Sequence, residues 1–127
     1  MVGLSEGEVK DLPKNIIPIP PISDDHKLAE IYSACDLCLN LSYEETFGMT
    51  SVEALACGTP IITYDLTAVP EVARILNAPI VHAGDIVGLK NAIEQYFMNY
   101  QERDYDVMRF EQMAQYQRYY DLYKELI

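Results

Sequence analysis

The stretch NLSYEETFGMTSVEALACGTPII, residues 40–62, decides how the rest of the chain is read. It opens on the end of an apolar run, Asp36–Leu41, and passes through the polar loop Ser42-Tyr43-Glu44-Glu45-Thr46. A helical pattern then starts near Thr50 and ends at Gly58, the kind of residue that sits just past a helix end. A second apolar run, Pro60–Tyr64, follows directly. Strand, loop, helix and strand in that order make a βα unit, whose two strands must lie parallel.

The pattern continues outward in both directions. Downstream come a helix around Val69–Leu76, a strand at Pro79–His82, and a helix capped by Asp85 with Ile86, Leu89, Ile93 and Phe97 on one stripe. Upstream, Ser23 is placed to cap a helix whose first turn carries Asp24 and Asp25, and Leu28, Ile31, Tyr32 and Cys35 recur at helical spacing. Before it, Ile16–Ile19 reads as a strand broken by Pro18, which belongs at a sheet edge, and residues 2–4 read as the end of another. From Asp106 onward Phe110, Met113, Tyr116, Tyr120 and Tyr123 form a long amphipathic pattern whose apolar face needs a partner.

Composition bounds the function. The chain has 127 residues, 50% of them hydrophobic, which suits one domain with its own core. Twenty acidic against nine basic residues give a net charge of −11, a field that repels phosphate backbones and anionic lipid, so nucleic acid and membrane surfaces are not expected partners. No apolar run approaches the length of a spanning helix, and the N-terminus lacks a signal-peptide pattern, so a cytoplasmic location is expected. The three cysteines, Cys35, Cys38 and Cys57, read as reduced, buried thiols rather than a metal site, because His26 and His82 lack ligand spacing to them.

In open α/β sheets ligands bind outside the carboxyl ends of strands, where residues 40–62 sit. Glu45 lies on the loop and Glu53 in the first turn of the helix, with Phe47-Gly48-Met49-Thr50 between them. Gly48 allows close backbone approach, and the amides of Met49, Thr50 and Ser51 are the unpaired donors of a helix N-terminus, which hold an anion whatever the overall charge. Carboxylates flanking an anion site suit the hydroxyls of a sugar on one side and of a ribose on the other. Each element also has a plainer reading. Thr50 and Glu53 form T-x-x-E, a capping box. Glu44 and Glu45 are loop carboxylates, and His82 within an apolar strand reads as a core histidine.

The run Glu45 to Pro60, ETFGMTSVEALACGTP, resembles the E-x7-E segment of glycosyltransferase family 4. The flanks are similar too: Leu28–Asp36 resembles the family's helix leading into an A-D strand, Val69-Pro70-Glu71 its G-G-x-P-E turn, and Gly84-Asp85 the start of its closing helix. The resemblance covers roughly residues 12–97 and implies an α/β fold, a Rossmann-like parallel sheet with flanking helices, as in the C-terminal donor-binding domain of the GT-B architecture. It implies a retaining transferase that needs no metal and no cofactor, taking a sugar from a nucleotide-sugar donor to a glycan or lipid-linked acceptor in polysaccharide synthesis. By position Glu45 would address the donor sugar, Phe47, Gly48, Met49 and Thr50 the diphosphate, and Glu53 the ribose.

Two departures stand out. Thr67-Ala68 replaces the family's Gly-Gly. The chain also begins in what aligns with the second strand of that domain, so the first strand, the cationic diphosphate clamp and the acceptor domain are expected to be missing. The expected organisation is therefore one incomplete domain over 1–127, with βα units over 1–100 and the amphipathic helix over 101–127, inactive alone and prone to self-association. An epimerase-like domain and a non-catalytic interaction module are the rival readings, the first disfavoured by the E-x7-E itself.

Overall fold

The computed structural model describes residues 1–4, 6–10, 12–99 and 105–126. Its sheet has three parallel strands in the order β1 (Cys38–Asn40), β2 (Ile61–Tyr64), β3 (Ile80–Val81). Cys38 pairs with Ile61 and Asn40 with Thr63, and Thr63 in turn with Ile80, so the carboxyl ends of the strands finish level with one another.

Helices join the strands: α1 (Glu6–Val9) and α2 (Asp25–Ser33) precede β1, α3 (Met49–Ala56) links β1 to β2, α4 (Val69–Ile75) links β2 to β3, and α5 (Ile86–Met98) follows β3. A 3-10 helix over Val107–Phe110 and α6 (Gln112–Leu126) complete the described chain. The boundary expected between 100 and 101 lies outside the described residues.

The middle strand organises the core. All four residues of β2 are buried, as expected of a strand covered on both faces in a parallel sheet. Ile61 joins Val52, Ala54, Leu55, Val72 and Leu76 on one face, with Tyr32 and Phe110 packed against them. On the other, Ile62 and Tyr64 meet Val81 and Leu89, with Leu41, Ala92 and Ile93 around them. Fully burying side chains of this size contributes about 1.5–3 kcal/mol each.

Several local expectations change. Asp24, not Ser23, caps α2, its Oδ1 accepting from the His26 and Lys27 amides at 3.0 and 3.3 Å. Ile16–Ile19 and residues 2–4 do not join the sheet; they meet in a single parallel bridge, Val2 to Ile19. The Asp36–Leu41 strand narrows to Cys38–Asn40, and Leu39 is exposed, so β1 is buried on one face only. On α5, Leu89 is buried and Ile93 half-buried, while Ile86 and Phe97 face solvent. The cysteines are free thiols, but Cys35 is exposed and Cys38 and Cys57 are half-buried. Burial, with the nearby Cys35 adding, pushes the Cys38 thiol up to about 11. The tail pattern splits into the 3-10 helix and α6, which has no buried residue. No helix among the described residues is long and apolar enough to cross a membrane.

Candidate functional site

The site is built where β1 ends and α3 begins. Asn40, the last residue of β1, is buried, and a buried amide must find partners. Its Nδ2 donates to Ser51 Oγ at 2.9 Å and Thr50 Oγ1 at 3.3 Å, while its Oδ1 accepts from the Ser42 amide at 3.3 Å. One side chain thus ties the strand end, the loop and the helix start together. The only sequence signal for it was a lone polar residue closing an apolar run.

Gly48 is the N-cap of α3, with φ of 88° and no side-chain cap bond. This conformation is natural for glycine and costly for other residues, and it turns the loop into the helix. It also corrects the capping-box reading: Thr50 sits inside the first turn and is held by Asn40, and Glu53 lies one turn further in. Gly48 is buried close to Val69 and to the Cγ of Glu45. The Ser51 amide donates to Gly48 O at 2.9 Å. That leaves Met49 and Thr50, both exposed, as the amides without an intrahelical partner.

Glu45 folds back on its own loop, its Oε1 accepting from the Thr46 amide at 2.9 Å and the Phe47 amide at 3.4 Å. The amides of Phe47, Thr46 and Gly48, in that order, hold its carboxyl below the ordinary carboxylate value. Phe47 meets Phe110 edge-on, with centroids 5.9 Å apart, linking the loop to the 3-10 helix. Glu53 is half-buried, and its Oε2 accepts from the Tyr32 hydroxyl of α2 at 3.1 Å. In the sequence Tyr32 is one residue of an apolar stripe, because nothing local signals that α2 lies beside α3.

Asp65 and His82 continue the register past the ends of β2 and β3. His82 is not a core residue: its side chain is 78% exposed, and its Nδ1 lies 2.7 Å from Asp65 Oδ2. Strand pairing stops at Val81, so the histidine falls in the loop. Tyr43 stacks edge-on against Tyr64 at 5.8 Å and brings its hydroxyl toward Gly84, closing this side of the rim. A separate cavity of about 350 Å³ opens at the opposite, amino end of the strands, lined by Cys35, Asp36, Cys57, Thr59 and Tyr96 among others.

Residues 8–109 match the family model described as glycosyl transferases group 1. The chain belongs to that family. Among relatives of this glycosyl transferase group 1 chain, a D-inositol 3-phosphate glycosyltransferase of Mycolicibacterium smegmatis is 39% identical over 69 residues, covering 54% of this chain and 16% of that protein. Its counterpart from Stackebrandtia nassauensis is 54% identical over 37 residues, covering 29% of this chain and 8% of its own. The chain therefore spans only a small part of the length of the relatives it matches.

Among solved structures, sucrose-phosphate synthase from Thermosynechococcus elongatus superimposes with a TM-score of 0.59 at 32% identity, covering 65% of this chain and 21% of that one. Anabaena HepE, solved in complex with UDP, gives 0.55 at 23% identity over 69% and 28%, a likeness of fold alone. The fold is the Rossmann-like parallel sheet of GT-B glycosyltransferases. Where the sequence carries Thr67-Ala68 in place of two glycines, Thr67 adopts φ of 54°, a glycine-like backbone on a β-branched residue.

Proposed function

We propose that this chain is the donor-binding part of a retaining glycosyltransferase, which transfers a sugar from a nucleoside diphosphate sugar to a glycan or lipid-linked acceptor held by a partner domain. The observation that carries this reading is the start of α3. A buried left-handed Gly48 opens a helix whose Met49 and Thr50 amides are unpaired within it, and a loop carboxylate, Glu45, and a helical one, Glu53, stand to either side in sequence.

Each part has a chemical task in the proposal. The helix amides and dipole hold the diphosphate, which overcomes the −11 charge of the chain locally. Glu53 accepts from the ribose hydroxyls, and Glu45, already ionised and braced by its own loop amides, accepts from the donor sugar. Transfer belongs to polysaccharide synthesis and needs the acceptor side, so the chain alone binds donor without turning it over.

Calorimetric titration with UDP, GDP and ADP tests this. With the diphosphate held by helix amides, the expected dissociation constant is in the millimolar range, about 4 kcal/mol of binding. Glu53→Gln should weaken it about tenfold. Absence of saturable binding by all three nucleotides, or binding indifferent to Glu53→Gln, overturns the reading.

A further inference from the structure

The bond between Tyr32 and Glu53 crosses from one helix to another, 21 residues apart in sequence. A carboxylate on a helix has three rotatable bonds, and holding it in one place for a ligand costs rotamer entropy at the moment of binding. Here a phenol does the holding beforehand. Tyr32 is itself fixed twice. Its ring packs against the cluster of Val52, Leu55 and Ile61, and its carbonyl accepts from Thr59 Oγ1 at 2.5 Å, which pins the end of α2 to the turn between α3 and β2.

We propose that Tyr32 is a positioning residue for Glu53: its O–H occupies Oε2 and presents Oε1 to the vicinal hydroxyls of a ribose. This rests on the donor-site reading above and adds to it the residue that sets ribose selectivity. Among the described residues Oε1 carries no hydrogen bond, so one of the two oxygens is spoken for and the other is open. Burial, followed by the adjacent Glu53 carboxylate, pushes the phenol far above its ordinary value. Tyr32 therefore stays protonated, a donor throughout the physiological range.

A merely structural Tyr32 and a positioning one differ in what they do to ligand discrimination. UDP, ADP and GDP are each titrated against their 2′,3′-dideoxy counterparts by NMR chemical-shift perturbation. The variants are the full chain with Tyr32→Phe, with Glu53→Gln and with both. Tyr32→Phe keeps the ring and its packing, and circular dichroism checks that the fold is kept.

The unaltered chain should prefer the ribonucleotide about tenfold. Tyr32→Phe should cut that preference to about threefold or less while leaving the dideoxy affinity unchanged, and the double variant should behave as Glu53→Gln alone. If Tyr32→Phe keeps the full preference, or weakens both ligands equally, while Glu53→Gln abolishes the preference, Tyr32 only packs and this inference falls with the donor site intact. If Glu53→Gln leaves the preference unchanged, or no ribonucleotide binds saturably, the donor-site reading falls and takes the inference with it.

Discussion

The Nδ1 of His82 lies 2.7 Å from the Oδ2 of Asp65, joining the loops that leave β3 and β2 at the carboxyl ends of the strands. The second carboxylate oxygen, Oδ1, accepts from the Ala83 amide at 2.9 Å, so Asp65 grips both the side chain and the backbone of the neighbouring loop. The hydrogen bond to Asp65, then its charge, with Asp85 adding, raises His82 above its ordinary 6.5, and the same bond lowers Asp65 below 3.8.

A pH dependence follows. The contribution of His82 is fully present below pH 6.5 and is lost as pH rises through its higher folded value. That of Asp65 is present above 3.8 and is lost as pH falls through its lower folded value. The urea midpoint of the unaltered chain should therefore decline above pH 6.5, and His82→Gln should flatten that part of the profile. Identical slopes above 6.5 in both proteins would show that the pair adds no stability.

Asn40→Ala should destabilise the chain by about 2 kcal/mol, because it leaves the buried Ser51 hydroxyl without its donor. Denaturant unfolding followed by far-ultraviolet circular dichroism measures this. A loss under about 0.5 kcal/mol would mean that the strand end and helix start hold together without the amide.

Thr67→Gly should stabilise the chain by about 0.5–1 kcal/mol. A β-branched residue at φ of 54° carries a penalty of roughly 1–2 kcal/mol, which exceeds the extra chain entropy of glycine. Asn77, at φ of 53° just beyond α4, tolerates the same region far better and should gain less from the same change. A lower melting temperature for Thr67→Gly would reverse this account.

Thr63 on β2 is fully buried, and among the described residues its Oγ1 has no hydrogen-bond partner. Valine has the same shape without the polar atom, so Thr63→Val should raise stability by about 1 kcal/mol. A fall in the urea midpoint would reveal a partner for the hydroxyl.

The parts legible in the sequence are those set by short-range rules. Gly58 ends α3 at φ of 81°, and Asp85 caps α5 through the Gly88 amide at 2.8 Å, because both depend only on residues within a turn. The Pro60–Tyr64 run is a strand, trimmed to Ile61–Tyr64, because it is apolar enough to be covered on both faces. Strand limits at β1 and β3 were not legible, since pairing stops where the neighbour stops, and this moved His82 from the core to the rim. The choice of Gly48 over Thr50 as cap was hidden for a related reason: Thr50 already has a distant partner in Asn40. Glu45 and Glu53 could be picked out by spacing and surroundings. Tyr32 could not, because its role exists only once α2 and α3 lie side by side.

The sparse packing of α6 decides what an optical probe will see. The chain has no tryptophan, so its intrinsic fluorescence comes from ten tyrosines, and Tyr116, Tyr119, Tyr120 and Tyr123 sit on α6, each more than half exposed. A helix with no buried residue can unwind while β2, paired on both edges, keeps its amides protected until the whole sheet opens. Tyrosine emission and backbone ellipticity should accordingly both begin to change at lower urea than the exchange of the β2 amides, with slow hydrogen exchange confined to the β2 region. Stability values for this chain belong to the exchange of the β2 amides, since both optical signals also report an appendage.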